Sequence, residues 1–139
     1  MNKLLAITSI ILLSSCGPDV DFSYDSKTAL GHTWRNDTGQ DVSLIVKNID
    51  TVASQISSCT GVEVPPALIV FVESLPAPMV GRYEHHTQII SLLVVPGSVS
   101  ILGHEFIHHI LWANWGIKGH DSMWFERCEI DYKLFQSRY

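Results

Sequence analysis

The segment from residue 98 to residue 115 constrains the fold more than any other part of the chain. Ser98 or Ser100 can cap the start of a helix here, and Gly116 is a natural stop. Apolar side chains occupy most sides of this helix, with Leu102, Phe106, Ile110 and Ala113 on one side and Ile101, Leu111 and Trp115 on the other. A helix that is apolar on most sides is buried, so the rest of the domain is expected to pack around it.

The patterns on either side of this helix predict one α+β domain. Apolar residues recur at three- and four-residue spacing from 41 to 58, which indicates a helix with Asp41 as its N-cap. Three apolar runs of strand length follow, at 67–72, 79–83 and 88–95. A helical pattern resumes from 122 to about 137. We expect one domain over 41–139, built as a helix, a small twisted sheet, the central helix and a C-terminal helix.

The central helix carries an H-E-x-x-H pattern at residues 104–108. Four residues advance an α-helix by about 400°, so His104 and His108 lie on one face, one turn apart. Two imidazoles at this spacing can bind the same Zn²⁺ ion. Glu105 lies about 100° round from His104, beside the metal, where its carboxylate can take a proton from a zinc-bound water. The pattern predicts one Zn²⁺ per chain, with Glu105 as the catalytic base.

Candidates for a third ligand follow the motif, at His109, His120, Asp121, Glu126 and Glu129. Catalytic zinc sites usually have three protein ligands and one open position for water. His109 points about 100° away from His108 and is a poor choice. His120 follows the helix-ending Gly116 by a few residues, so the chain can turn back and present it to the metal. Glu126, in the predicted last helix, is the alternative, and we favour His120.

The first 15 residues are predicted to be a lipoprotein signal peptide. Lys3 precedes an apolar run that is too short to span a bilayer. The run ends in Leu-Ser-Ser-Cys, which resembles the processing site of bacterial lipoproteins and implies cleavage before Cys16 and acylation of Cys16. The domain would then lie in the cell envelope, outside the cytoplasm, anchored to a membrane. The polar segment 16–40 is predicted to be a tether, with a short ordered piece around His32 to Arg35.

Two further sequence features bear on the environment and the partners. Cys59 and Cys128 are the cysteines left for the domain, and in an exported chain they predict one disulfide. The net charge is -5, with 9 Lys+Arg against 14 Asp+Glu, and the basic residues form no run. Phosphate binding needs clustered Lys and Arg, so nucleic acid is excluded as the main partner.

The H-E-x-x-H pattern, taken with the downstream stretch His-Asp-Ser-Met-Trp-Phe at 120–125, resembles the SprT-like and WLM-type zinc metallopeptidases. The resemblance covers about residues 41–136, and only these two stretches are specific. It implies a minimal zincin-like fold. The roles it implies are zinc ligation by His104, His108 and His120, general base catalysis by Glu105, and support of His120 by Trp124. The chain lacks the basic surface and zinc ribbon of the DNA-linked members, so DNA–protein crosslink repair is not carried over.

The leading hypothesis is a membrane-anchored, monomeric zinc metallopeptidase that acts on a peptide or protein substrate. Tyr83, His85 and His86 are candidates for stabilising the oxyanion of a tetrahedral intermediate, although each is more typical of an ordinary hairpin residue. The alternative hypothesis is a non-catalytic envelope lipoprotein. Such a protein would either bind metal through the same histidines or be purely structural.

Overall fold

The computed structural model describes residues 19–130. Its strands are β1 (Ser26–Lys27), β2 (Thr33–Asn36), β3 (Leu68–Val72), β4 (Gly81–Glu84) and β5 (Ile89–Leu93). Its helices are α1 (Ser43–Val46), α2 (Ile49–Thr60), α3 (Ser98–Trp115) and α4 (Trp124–Arg127). The predicted α+β class is confirmed. Within 19–130, no helix is both long and apolar enough to cross a bilayer.

The strands form a five-stranded mixed sheet in the order β1-β2-β3-β5-β4. β3 pairs in parallel with β2 on one side and with β5 on the other, while β1 and β4 run antiparallel at the two edges. Four consecutive residues of β3 are buried, as expected for a central strand in a parallel arrangement. β4 is the edge strand next to α3, and its placement decides the shape of the site.

The predicted tether is wrong at Ser26–Lys27, which form β1, whereas the short ordered piece predicted around His32 to Arg35 is present as β2. Thr33 to Asn36 pair in register with Leu68 to Phe71 of β3. His32 is buried, and its Nδ1 accepts a hydrogen bond from the Ala67 backbone N–H at 3.2 Å. Polar side chains do not prevent a short strand when its backbone is paired along a central strand. The ordered domain therefore begins well before residue 41, whereas the signal segment and Cys16 lie outside the described residues.

The helix predicted over 41–58 is divided in two. The Asp41 carboxylate accepts bonds from the Ser43 backbone N–H at 2.9 Å and from the Ser43 hydroxyl at 2.6 Å, which supports the first turn. The break falls at Asn48, whose side-chain amide donates to the Leu44 carbonyl at 2.8 Å. Asn competes with the backbone for such carbonyls, so α1 ends and α2 begins at Ile49.

The C-terminal helix is shorter than predicted. α4 covers only Trp124–Arg127, and residues 128–130 are not helical. Cys128 is bonded to Cys59, and Ile130 packs into the notch left by Gly103 on α3, where an added Cβ would lie 2.6 Å from the Ile130 side chain. These contacts draw the chain away from a helical path. Residues 131–137 of the predicted helix lie outside the described part.

The core lies between α2, α3 and the sheet. α3 is buried along most of its length, as its apolar pattern predicts, and Gly116 in a left-handed conformation (φ 63°) ends it. The largest fully buried apolar side chains come from these three layers: Ile49, Ile56, Ile69, Phe71, Ile90, Leu92, Leu102, Phe106, Ile107 and Ile110. A helix packed this tightly is a rigid base for the polar side chains that it carries.

Candidate metal centre

The structure brings three imidazoles together. His104 and His108 lie one turn apart on α3, and His120 comes from the loop that follows Gly116. The Nε2 atom of His120 lies 3.0 Å from the Nε2 of His104 and 3.0 Å from the Nε2 of His108. His120 is therefore placed where the loop prediction put it. Glu126 is exposed and does not belong to this group.

The three nitrogen atoms can hold a metal ion. All of them lie within 4.8 Å of one another. A tetrahedral Zn²⁺ ion with bonds of about 2.0–2.1 Å keeps its nitrogen ligands roughly 3.3 Å apart, close to the spacing seen here. Burial and the neighbouring His104 and His120 lower the pKa of His108 to about 3, and burial likewise lowers the pKa of His104. Neutral imidazoles keep the lone pairs that a metal requires, so the residues fit the ion that the sequence predicts.

Phe125 contacts all three imidazoles, a feature that the sequence reasoning missed. Its ring centroid lies 4.8 Å from that of His104, 4.7 Å from that of His108 and 4.9 Å from that of His120. A point equidistant from three rings lies on the axis through the centre of the triangle they form. Trp124, expected to support His120, instead packs against Trp115 at 5.8 Å. Trp124 and Phe125 both lie in α4, which has only four residues. A helix this short shows no periodic pattern from which the buried aromatic could be predicted.

Glu105 is held beside this cluster in a buried setting. Its side chain is 5% exposed, and burial raises its pKa to about 7, although the Tyr83 backbone N–H acts in the opposite direction. The neighbouring edge strand comes very close at Gly81, where an added Cβ would meet the Ile101 side chain and would lie 2.9 Å from the Glu105 Oε1 atom. A carboxyl group with this pKa is half ionised near neutral pH, which suits it to exchange protons.

His109 is used within the fold rather than for metal. Its Nε2 lies 3.1 Å from the Pro65 carbonyl oxygen, and its Nδ1 lies 3.0 Å from the Tyr83 hydroxyl oxygen. Both ring nitrogens are therefore occupied, which agrees with the prediction that His109 is a poor ligand. The Tyr83 hydroxyl is committed to the same bond. Because it is buried there, it is not placed as an oxyanion donor.

Two nitrogens near the cluster have no hydrogen-bond partner among residues 19–130. They are the Nδ1 of His108 and the Nε2 of His85. The His85 ring lies 6.3 Å from the His108 ring and 5.1 Å from the Trp112 ring, centroid to centroid. A histidine that binds metal through Nε2 usually donates its Nδ1–H to a second group. Among residues 19–130, no group accepts a hydrogen bond from the Nδ1 of His108.

A cleft of about 460 Å³ borders the cluster. The start of β4 forms one wall and the N-terminal half of α3 forms the floor. Its apolar lining includes Met79, Val80, Ile101 and Phe125, while Ser100, His104, Glu105 and Glu129 supply polar side chains. Clefts with this mixture can bind an apolar group and direct one polar bond toward a reactive centre.

Comparisons with known proteins give no match for this chain among family models, curated proteins or solved structures. What the site can do chemically therefore follows from its own residues.

Proposed function

We propose that the protein is a zinc-dependent metallopeptidase with a minimal zincin-like fold. The observation that carries the proposal is the convergence of three imidazole nitrogens beside a buried carboxyl group that borders an open cleft. Three nitrogen ligands leave a fourth position for water or substrate, the usual arrangement in catalytic rather than structural zinc sites. The SprT-like and WLM-type resemblance supports the same activity.

His104, His108 and His120 would hold the ion. When bound, Zn²⁺ supplies Lewis acidity toward a carbonyl oxygen and lowers the pKa of water. Glu105 then acts as the proton carrier, since it takes a proton from the attacking water and passes it to the leaving amine. The pKa of Glu105, raised to about 7 by burial, suits both transfers near neutral pH.

The substrate would lie extended along β4. Among residues 19–130 this strand pairs with β5 on one side only. An extended peptide could bond to its outer backbone groups apart from the Tyr83 N–H, which bonds to Glu105. Such pairing would carry the scissile bond past Glu105, because β4 touches α3 at Gly81. The substrate class is a peptide or protein, and the backbone bonds do not depend on its side chains.

The position of the domain in the cell is part of the same proposal. The Leu-Ser-Ser-Cys ending of the apolar N-terminal run supports a lipid anchor on Cys16. The disulfide between Cys59 and Cys128 supports an oxidising compartment. The protein would act as a monomer in the cell envelope, tethered to a membrane and facing away from the cytoplasm.

The test replaces Glu105 with Gln and measures zinc content and hydrolysis of a mixed peptide library by mass spectrometry. Zinc content should stay at one ion per chain, whereas cleavage should be lost, because an amide cannot accept the proton. Glu63→Gln, at an exposed site, is the matched control and should cleave as the wild type does. Cleavage that survives in Glu105→Gln removes the carboxylate from the mechanism.

A non-catalytic metal-binding lipoprotein is the second candidate, and one observation favours it. Phe125 lies on the axis of the three imidazoles. A ring on that axis either supports the ligands from below or covers the open position, and in the second case water and substrate are excluded. Zinc binding with no cleavage by the wild type, together with new activity in Phe125→Ala, would identify the covering arrangement.

A further inference from the structure

The third ligand belongs to a segment whose buried residues all lie near its far end. We call residues 117–130 the third-ligand segment. It carries His120, which is exposed, and α4, which contributes no buried residue. Most of its backbone hydrogen bonds stay within the segment, such as that from the Arg127 N–H to the Met123 carbonyl at 3.0 Å. The backbone bond that ties its start to α3 runs from the Ile117 N–H to the Leu111 carbonyl at 3.2 Å.

The far end of this segment is fixed to the domain at Cys128 and Ile130. Cys128 is buried and forms the disulfide with Cys59, a residue 69 positions earlier on the last turn of α2. Beside it, Ile130 fills the notch at Gly103, and its carbonyl accepts a hydrogen bond from the Ser100 hydroxyl. Between the two ends, Trp124 and Phe125 pack against the core but are only partly buried, and Trp124 contacts Trp115 of α3 at 5.8 Å.

We infer that the Cys59–Cys128 disulfide positions the third metal ligand. Two ligands are fixed by α3, whereas His120 reaches the cluster only if the segment closes back over the helix. The disulfide joins the segment to α2 eight residues beyond His120. The conformational entropy of the segment is therefore lost when the disulfide forms, and metal binding does not have to offset that cost. This inference rests on the proposed metal site, and it is independent of whether the site hydrolyses peptides.

The inference makes metal affinity depend on the disulfide. Without the bond, the segment has to be ordered at the moment of metal binding, which weakens the apparent affinity. Groups that orient metal ligands typically change affinity by about 10–100-fold, and we expect a loss in that range. The loss of zinc affinity should depend on His120 alone, because His104 and His108 are held in place by α3.

The experiment measures the Kd of Zn²⁺ alone by competition with a chromophoric chelator. The chains compared are the wild type, the double variant Cys59→Ser/Cys128→Ser, His120→Ala, and the triple variant that combines them. Serine is used because free thiolates would bind zinc themselves. We expect the double variant to bind at least tenfold more weakly than the wild type. In the His120→Ala background, loss of the disulfide should change the Kd by less than about twofold, because coupled residues are non-additive.

A destabilised control separates positioning from general loss of stability. Val52→Ala removes buried side-chain volume from α2 and keeps the disulfide, and its Kd should equal that of the wild type. Should the serine variant fail to fold, Cys59→Ala/Cys128→Ala replaces it, with folding followed by circular dichroism. If neither form folds, the disulfide holds the whole domain and the inference is wrong.

The remaining outcomes are distinct. Equal Kd values for the wild type and the folded double variant overturn the inference while leaving the metal site intact. The inference is also overturned if loss of the disulfide raises the Kd by the same factor with and without His120, because the disulfide would then act on the two helix ligands. Absence of stoichiometric zinc binding in the wild type is a different result, since it removes the metal site and with it the proposed function.

Discussion

The side chains of Tyr83 and His109 join the edge strand to α3, which carries two of the candidate metal ligands, through a buried hydrogen bond of 3.0 Å. The Nε2 of His109 faces the Pro65 carbonyl at 3.1 Å, and a carbonyl can only accept. Nε2 therefore carries the proton, since burial lowers the pKa of His109 and keeps the ring neutral. It follows that the Tyr83 hydroxyl donates to Nδ1. This bond links β4, where a substrate would pair, to the helix that carries Glu105.

Removing the Tyr83 hydroxyl should weaken the fold without touching the metal ligands. In Tyr83→Phe the ring is kept, but Nδ1 of His109 loses its donor. A buried polar atom left unpaired costs about 1–3 kcal/mol, and we expect a fall of that size in the free energy of unfolding by urea titration. Tyr24→Phe, at a 54% exposed site, is the control and should unfold as the wild type does. Zinc affinity that drops along with stability would show that Tyr83 acts on the metal site as well.

The identity of the third ligand can be tested by a matched pair of variants. Loss of a residue that only hydrogen-bonds a metal ligand weakens metal binding by up to about 100-fold. His120→Ala should weaken zinc binding by more than this, because a direct ligand is lost. Glu126→Ala should leave the affinity unchanged, because Glu126 lies outside the cluster of donors. Chelator competition measures both Kd values. The reverse order would assign the ligand to Glu126 instead.

The buried Glu105 should make stability depend on pH. Its pKa is raised from 4.5 to about 7 in the folded chain. Between pH 4.5 and about 7, the folded state binds more protons at Glu105 than the unfolded chain does. The contribution of Glu105 to the free energy of unfolding is therefore full below pH 4.5 and declines as the pH rises to about 7. The loss should approach roughly 3 kcal/mol at most.

The measurement compares metal-free wild type with Glu105→Gln by urea unfolding across this pH range. Glutamine imitates the protonated acid and does not titrate, and the histidines contribute equally to both chains. We therefore expect the variant to become progressively more stable than the wild type as the pH increases. A difference that stays constant from pH 4.5 to 7 would mean that Glu105 is not buried as described.

Gly81 should not tolerate a methyl group. An added Cβ would collide with the Ile101 side chain and approach the Glu105 Oε1 atom to 2.9 Å. Overpacking of this kind typically costs about 1–3 kcal/mol, and the strand has to move away from Glu105. We expect Gly81→Ala to lower the melting temperature and peptide cleavage together. Gly39→Ala is the control, because nothing lies within 4 Å of its added Cβ, and equal behaviour of the two variants would contradict the close approach.

The local elements could largely be predicted from the sequence. Apolar periodicity predicts a helix from Ser98 or Ser100 to about Trp115, observed as Ser98–Trp115, and the β-branched run predicts a strand over 67–72, observed as Leu68–Val72. β2 was expected only as a short ordered piece, because three of its four residues are polar and its pairing with β3 joins positions 35 apart. A strand of this kind exists because a central strand needs a partner, which no pattern within its own four residues can indicate.

Within the site, the sequence alone determined that His104 and His108 share one face, because helical geometry fixes the relation of residues four apart wherever the helix lies. It also placed Glu105 beside them. Only the tertiary structure decided that His120 and not Glu126 closes the cluster, that Phe125 and not Trp124 contacts it, and that Tyr83 is bonded to His109. Those relations depend on how separate segments pack, and packing is set by the burial of side chains distant in the chain rather than by local spacing.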